Sequence, residues 1–263
     1  MGSKKARKQI EQISGKLRSA GCVFAEEEAR LLVSAARSAA ELSSMVNKRL
    51  LGEPLEHVIG WAHFYGLKLE VCQTVFVPRR RTEFLVHQSL SAIEEGAVIL
   101  DLCCGSGAIG AAIASQIQVE LHGVDIEPDA VQCARRNLLS IDSCIYEGDL
   151  FEPLPDTLKN RFNLIVANAP YVPTELFGRL PAEARNYEAR SALDGGEDGL
   201  FFHRRIAADA ASWLAPGGKL LVEVSRQQAS KTVAIFEKYG LAGQVASSEE
   251  FDATVVSGTR PFL

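Results

Sequence analysis

Val98-Ile99-Leu100-Asp101-Leu102-Cys103-Cys104-Gly105-Ser106-Gly107-Ala108-Ile109-Gly110 reads as a strand, a glycine turn and the start of a helix. The same texture repeats on either side of this stretch. Strands are predicted at 97–102, 119–124, 143–147, 163–167 and 219–224, and helices at 108–116, 128–139, 198–214 and 227–239. Strands alternating with helices predict a parallel, doubly wound α/β sheet. The tail departs from this pattern: residues 243–247 and 254–257 are two strands with no helix between them, so the sheet is expected to end in an antiparallel pair.

The chain has 263 residues, 47% hydrophobic and 23% charged, enough for one large core and a small extra module. Its net charge of −5 provides no global basic field of the kind that marks a nucleic-acid binder. No apolar run approaches the ~20 residues of a membrane span, and the basic start Lys4-Lys5-Ala6-Arg7-Lys8 is not followed by an apolar signal region. A cytoplasmic protein with no membrane partner is expected. Cys22, Cys72, Cys103, Cys104, Cys133 and Cys144 form no CxxC pair and no zinc spacing, so no metal site is expected. Adjacent Cys103 and Cys104 read either as small buried thiols filling a turn or as a redox pair.

Residues 1–60 have helical texture, with Ile10, Ile13 and Leu17, then Leu31, Leu32 and Val33, then 41–51 marking three helices. Ten basic against seven acidic side chains give this module +3, which reads either as a part that grips a macromolecule or as solvated helix faces. Residues 61–82 form a connector. The alternation from Phe64 to Val71, with Val75-Phe76-Val77 after Gln73-Thr74, predicts a β-hairpin between those two runs. Thr82 is placed to cap a helix running to about Ile93, with Glu83 in its first turn. Arg79-Arg80-Arg81 is either an exposed charge run or a face for an anionic partner. Residues 83–263 carry the α/β unit.

Gly105, Gly107 and Gly110 satisfy the GxGxxG pattern, and Asp125 lies 20 residues past Gly105 at the end of the next strand. Glycines let backbone approach a ligand, and a carboxylate there accepts from ribose hydroxyls. Taken alone, the loop fits a nicotinamide dinucleotide or S-adenosylmethionine equally, or a structural turn. Three features favour S-adenosylmethionine. Asp101 stands where a dinucleotide fold has an apolar residue. Asp149, after Gly148, ends the third strand where adenine would lie, unless it merely forms the turn. The fourth strand ends in a corner for which hydride transfer has no use.

That corner is Phe162-Asn163-Leu164-Ile165-Val166-Ala167-Asn168-Ala169-Pro170-Tyr171-Val172-Pro173. The apolar run is a strand buried on both faces, stopped by prolines, so Asn168 and Tyr171 fall at the carboxyl end of a central strand, where open α/β sheets hold ligands. A planar amide is a poor nucleophile because its lone pair is delocalised. Two acceptors aimed at its N–H bonds, the Asn168 side-chain oxygen and the Ala169 carbonyl, would turn that lone pair toward an electrophile and stabilise the charge that develops. Pro170 fixes the turn and Tyr171 packs on the amide plane. The same clamp suits an exocyclic amine of adenine or guanine, and the plain alternative is a strand-ending Asn turn with a core tyrosine.

With these residues in place, the chain resembles the protein-(glutamine-N5) methyltransferases that modify peptide-chain release factors. The likeness covers nearly the whole chain: Glu53-Pro54-Leu55-Glu56-His57-Val58-Ile59-Gly60, Phe64-Tyr65-Gly66-Leu67, Val77-Pro78-Arg79 through Thr82-Glu83, Asp101-Leu102 with Gly105 to Ile109, and Ala192-Leu193-Asp194-Gly195-Gly196-Glu197-Asp198-Gly199-Leu200. The resemblance implies a Rossmann-like class I S-adenosylmethionine-dependent methyltransferase domain behind an N-terminal helical substrate-recognition domain. It implies cofactor contacts at Cys103, Cys104, Gly105, Ser106, Gly107, Asp125, Asp149, Leu150 and Asn168. It implies a substrate glutamine, in a release factor or related protein, held at Asn168, Ala169, Pro170 and Tyr171, with nucleic acid the alternative substrate. The chain departs from the family pattern where Ala169 replaces a proline, Cys103-Cys104 a Gly-Thr, Ser225 a glycine and Arg80 a proline.

Overall fold

The structure is a computed structural model that describes residues 2–262, with side chains from Ala6 onward; Met1, Leu263 and the side chains of Lys4 and Lys5 lie outside the described residues. Four helices come first: α1 (Gly2–Ser19), α2 (Ala25–Ala35), α3 (Ala39–Leu50) and α4 (Leu55–Ile59). Leu17, Ala29, Leu32, Val46 and Val58 face one another in a core of their own. Ser38 starts α3 by accepting from the Glu41 N–H at 3.1 Å, while the Glu41 carboxylate reaches back to the Arg37 N–H, a reciprocal cap. Beneath the helices Arg49 donates to both carboxylate oxygens of Glu28, at 2.6 and 3.2 Å, and the pair is buried.

The connector corrects the sequence reading. Its hairpin is β1 (Trp61–Phe64) against β2 (Leu67–Glu70), with the turn at Tyr65-Gly66. Both turn residues have positive φ (49° and 76°), the backbone twist a two-residue hairpin needs. Residues 75–77 are not a strand. The Val77 N–H goes to the Glu188 carboxylate at 3.1 Å, and Thr74 makes only an isolated bridge with Glu188. Thr82 does not cap the next helix, because it sits in helical backbone (φ −68°, ψ −15°) at the end of a short 3-10 turn. A capping side chain needs an extended residue. Helix α5 (Glu83–Leu90) therefore starts without a side-chain cap, and Glu83 accepts from the Tyr65 N–H at 2.9 Å instead.

The α/β unit follows: β3 (Ala97–Leu102), α6 (Ala108–Ala114), β4 (Val119–Asp125), α7 (Pro128–Asn137), β5 (Ser143–Glu147), β6 (Phe162–Ala167), α8 (Ala182–Tyr187), α9 (Phe201–Trp213), β7 (Leu214–Val224), α10 (Ala229–Lys238), β8 (Ala242–Ser248) and β9 (Ala253–Thr259). Seven strands order as β5-β4-β3-β6-β7-β9-β8, parallel except for β9, which runs antiparallel between β7 and β8. The sheet is thus mostly parallel with an antiparallel C-terminal pair, the expected class I arrangement. Strand β7 begins five residues earlier than expected, since Leu214 pairs with Phe162 before a register shift. Helix α8 and the short turns around it were not foreseen. One buried cluster on each face, with Ile165 and Val222 on one and Leu164 and Leu221 on the other, covers the sheet. Leu102 pairs with Val124 on one side and with Ala167 on the other. Chain order reverses at β3, so the carboxyl ends of β3, β4 and β6 open a crevice there. Among the described residues no helix is long and apolar enough to cross a membrane.

Candidate active site

A cavity of about 260 Å³ occupies that crevice. Of the sequence-predicted cofactor residues, Cys103, Cys104, Gly105, Ser106, Asp125, Asp149, Leu150 and Asn168 all line it. Gly107 does not. Its φ is +75°, and a Cβ there would lie 2.9 Å from Leu138 Cδ1, so this glycine lets the loop pack on α7 instead of meeting a ligand. At Gly105 (φ +56°) the space a Cβ would enter is open. Cys103 and Leu150 also hold positive φ (55° and 52°). Strain of this kind costs non-glycine residues about 1–3 kcal/mol each and collects at functional sites.

The walls are acidic. Asp125 accepts from the Gly105 N–H at 2.8 Å and the Glu127 N–H at 3.0 Å, fixing both carboxylate oxygens at the mouth of the loop. Its pKa is raised, chiefly by burial. Asp101 lies behind the loop and accepts from the Gly110 N–H at 3.0 Å, while its Oδ1 is buried without a partner among the described residues. Burial, with Asp125 nearby, pushes it up to about 7. Burial also pushes the Cys103 and Cys104 thiols well up, and the acids nearby add to this. Cys104 packs its side chain toward Gly123 and gives its N–H to the Val124 carbonyl at 3.0 Å, which is the filler role. Asp149 is held by Arg205 through two hydrogen bonds of 3.0 and 2.9 Å. Thr74, Val75, Phe76 and Pro78 of the connector line the cavity too, as do Phe201 and Phe202 of α9.

At the end of β6 the Asn168 amide nitrogen donates to Thr82 Oγ1 at 3.3 Å. Among the described residues, no hydrogen bond is donated to Asn168 Oδ1 or to the Ala169 carbonyl. The Tyr171 hydroxyl donates to Glu223 Oε1 at 3.1 Å, and Arg81 Nε lies 3.4 Å from the same oxygen. Burial raises the Tyr171 pKa, and the Glu223 charge adds to the effect. Behind this turn Gln228 donates to the Tyr171 carbonyl at 2.9 Å, and Val172 exchanges hydrogen bonds with Leu193 and Gly195. A second cavity of about 240 Å³ carries Asn168, Ala169, Pro170 and Tyr171 on its wall, together with Pro54, Arg79 and Pro181. The two cavities share Phe76, Asn168, Pro170 and Ala192, so they meet at the Asn168 turn. Sequence reasoning missed Phe76, Arg205 and Glu223, whose partners lie far away in the chain.

The model of the methyltransferase small domain matches residues 80–185. A release factor glutamine methyltransferase of Geobacter sulfurreducens is 41% identical over 199 residues, spanning 74% of this chain and 69% of that one. Another, of Thermodesulfovibrio yellowstonii, is 35% identical over 225 residues, 82% and 80% of the two chains. The chain belongs to the release factor glutamine methyltransferase family. A methyltransferase from Pyrococcus furiosus shares the fold of this family member at a TM-score of 0.58 and 15% identity, covering 84% of this chain and 97% of that one.

S-adenosyl-L-methionine is the methyl donor of this methyltransferase, and the cavity fits it. The donor is a cation, and the wall offers the carboxylates of Asp125 and Asp149. Ser106 Oγ is buried and, among the described residues, unpartnered beside the open space at Gly105.

Proposed function

We propose that this methyltransferase modifies the side-chain amide nitrogen of a glutamine in a peptide-chain release factor in the cytoplasm. The observation that carries the reading is the pair of unengaged oxygens, Asn168 Oδ1 and the Ala169 carbonyl, at the junction of the two cavities. When bound, the donor supplies an electrophilic methyl on a sulfonium. The chain's own residues do the rest. The two oxygens accept from the amide N–H bonds, turn its nitrogen toward the cofactor cavity and stabilise the positive charge that grows there. Pro170 fixes the turn between them. The Tyr171 ring, tethered through its hydroxyl, packs on the amide plane. Phe76 lies on the wall of both cavities and excludes water between them. Ala169 contributes a backbone oxygen, so loss of a proline there leaves the acceptor in place.

An exocyclic amine of RNA or DNA presents the same two N–H bonds. Arg79 and Arg81, which line the second cavity beside the clamp, face Glu188 and Glu223, whose charges offset theirs. The test is to incubate the enzyme with labelled cofactor, release factors and total RNA, and to locate the methyl group by mass spectrometry. A methylated glutamine is expected. Label confined to nucleic acid refutes the assignment. Asn168→Ala should lower kcat by about 10²–10³-fold, the usual loss for one preorganised hydrogen-bonding group at a developing charge.

A further inference from the structure

We propose that Glu188, which lines neither cavity, is a positioning residue: through Arg79 it holds the Phe76 ring at the junction where methyl donor and amide meet. The inference rests on the amide-clamp reading above. Phe76, Asn168, Pro170 and Ala192 are the residues the two cavities share. Asn168 and Pro170 belong to the clamp itself, and Ala192 to the loop after α8. Phe76 comes from the connector, and its ring is the largest side chain of the four.

A charge fixes that ring. The Arg79 guanidinium carbon lies 4.9 Å from the centre of the Phe76 ring, within the reach of a cation–π contact. Arg79 Nη2 donates to Glu188 Oε1 at 2.5 Å, and the same oxygen takes the Val77 N–H at 3.1 Å. The Glu188 side chain, just past α8, is 0% exposed, whereas that of Arg79 is 34% exposed. One residue on, the Ala189 N–H donates to the Thr74 carbonyl at 3.1 Å. Residues 188–189 therefore tie the connector at Thr74, Val77 and Arg79, on both sides of Phe76. Burying a carboxylate is costly, and neutral groups tie a loop as well. The charge on Glu188 does something a neutral group does not: it keeps a long, rotamer-rich cation in one place over an aromatic face.

Without that charge Arg79 keeps its own and turns to the open second cavity, whose wall it forms. The Phe76 ring then loses the contact on that face. The junction loosens, and donor and amide settle farther apart. Transfer from a sulfonium needs nitrogen and methyl carbon close and in line, so a small displacement tells on rate more than on binding. Arg79 is thereby neither a solvated charge nor a face for an anionic partner, the two readings that Arg79-Arg80-Arg81 allowed. No local pattern reveals its role, because Glu188 lies 109 positions away in the chain.

The experiment is a double-mutant cycle between Glu188→Gln and Phe76→Ala, with kcat, KM for a release factor and cofactor Kd measured for each protein. Glutamine keeps an acceptor for the Val77 N–H and removes only the charge. Glu188→Gln should lower kcat about tenfold, short of the roughly 10²-fold that a full ångström of misplacement costs, and should change KM less. Cofactor Kd, read by calorimetry without turnover, should weaken several-fold. Phe76→Ala should lower kcat at least as much. In the Phe76→Ala background, Glu188→Gln should change kcat and Kd by less than about twofold, because residues that act through one another are not additive. Equal losses from Glu188→Gln in both backgrounds overturn the proposal and leave Glu188 a structural tie. So does wild-type kcat in Glu188→Gln. Should that variant not fold, Arg79→Lys takes its place in the cycle, since an ammonium keeps the ion pair but lacks the plane that stacks on the ring, and the same outcomes decide. A wild-type enzyme that methylates no glutamine refutes the amide-clamp reading instead. The Kd cycle needs no turnover and still decides the role of Glu188.

Discussion

Arg205 meets Asp149 face to face on the wall of the first cavity, each terminal guanidinium nitrogen donating to one carboxylate oxygen at 3.0 and 2.9 Å. Both side chains are about one-third exposed, so the pair adds only about 0–1 kcal/mol to stability. Its effect is orientation: it holds the carboxylate at the start of the left-handed Leu150 turn. Arg205→Ala should leave the melting temperature nearly unchanged and weaken cofactor binding several-fold by calorimetry. Unchanged cofactor affinity would show that Asp149 needs no partner.

The parallel sheet was legible because Val98–Leu102 and Leu164–Ala167 are near-continuous apolar runs, which only a strand covered on both faces requires. The hairpin was placed wrongly for a physical reason. Val75-Phe76-Val77 is apolar because Val75 and Phe76 line a cavity and Val77 packs with Ala62 and Val71, and a local pattern does not distinguish such a segment from a strand. Thr82 has a capping residue's chemistry, yet its partner is Asn168, 86 positions on. The cofactor loop and the Asn168 corner were readable because glycine, proline and aspartate act locally. Arg205 and Glu223 were not, because their meaning lies in groups brought to them by folding.

Gly195 supports the clamp from behind. A Cβ added there would sit 2.7 Å from both the Pro170 carbonyl oxygen and Tyr171 Cα, backbone atoms that cannot rotate away as the end of a side chain can. Gly195→Ala should push the Asn168–Tyr171 turn into its cavity. The expected result is a kcat lowered about tenfold or more, from a displacement well under an ångström per atom. Cofactor affinity should be retained, since the cofactor loop is untouched. Parallel loss of both would place the damage elsewhere.

Asp101 gives the fold a pH dependence. Its carboxyl is pushed from the ordinary 3.8 up to about 7, mainly by burial. The folded state therefore prefers the protonated form. This contribution to stability is fully present below about pH 4 and is lost as pH rises through 7. The cofactor-free enzyme should melt at lower temperature at pH 8 than at pH 6, by an amount that Asp101→Asn reduces. Identical melting curves for the two proteins across that range would count against a buried, ionising Asp101.

The six cysteines should differ in reactivity. Cys144 is exposed, whereas the Cys103 and Cys104 thiols are pushed well up by burial and by Asp101 and Asp125. Only a thiolate reacts readily. Iodoacetamide at pH 8 should modify Cys144 first and leave Cys103 and Cys104 intact until the protein unfolds, as peptide mapping will report. Early alkylation of Cys103 would revive the redox reading of that pair.

Arg49 joins the helical module to the wall of the second cavity. It satisfies buried Glu28, donates to the Glu53 carbonyl at 3.1 Å, and reaches Glu183 of α8 at 2.7 Å. Pro181, Glu183 and Ala184 line the second cavity, so the arginine spans from the module's base to that cavity's wall. Arg49→Met strands a buried carboxylate, which typically costs about 3–5 kcal/mol. Glu183→Ala removes only the half-exposed end of the same network. The first variant should lower the melting temperature by several degrees. The second should leave it in place and raise KM for a release factor while kcat holds. A Glu183→Ala enzyme with wild-type KM would mean that the helical module and α8 do not act together on the substrate.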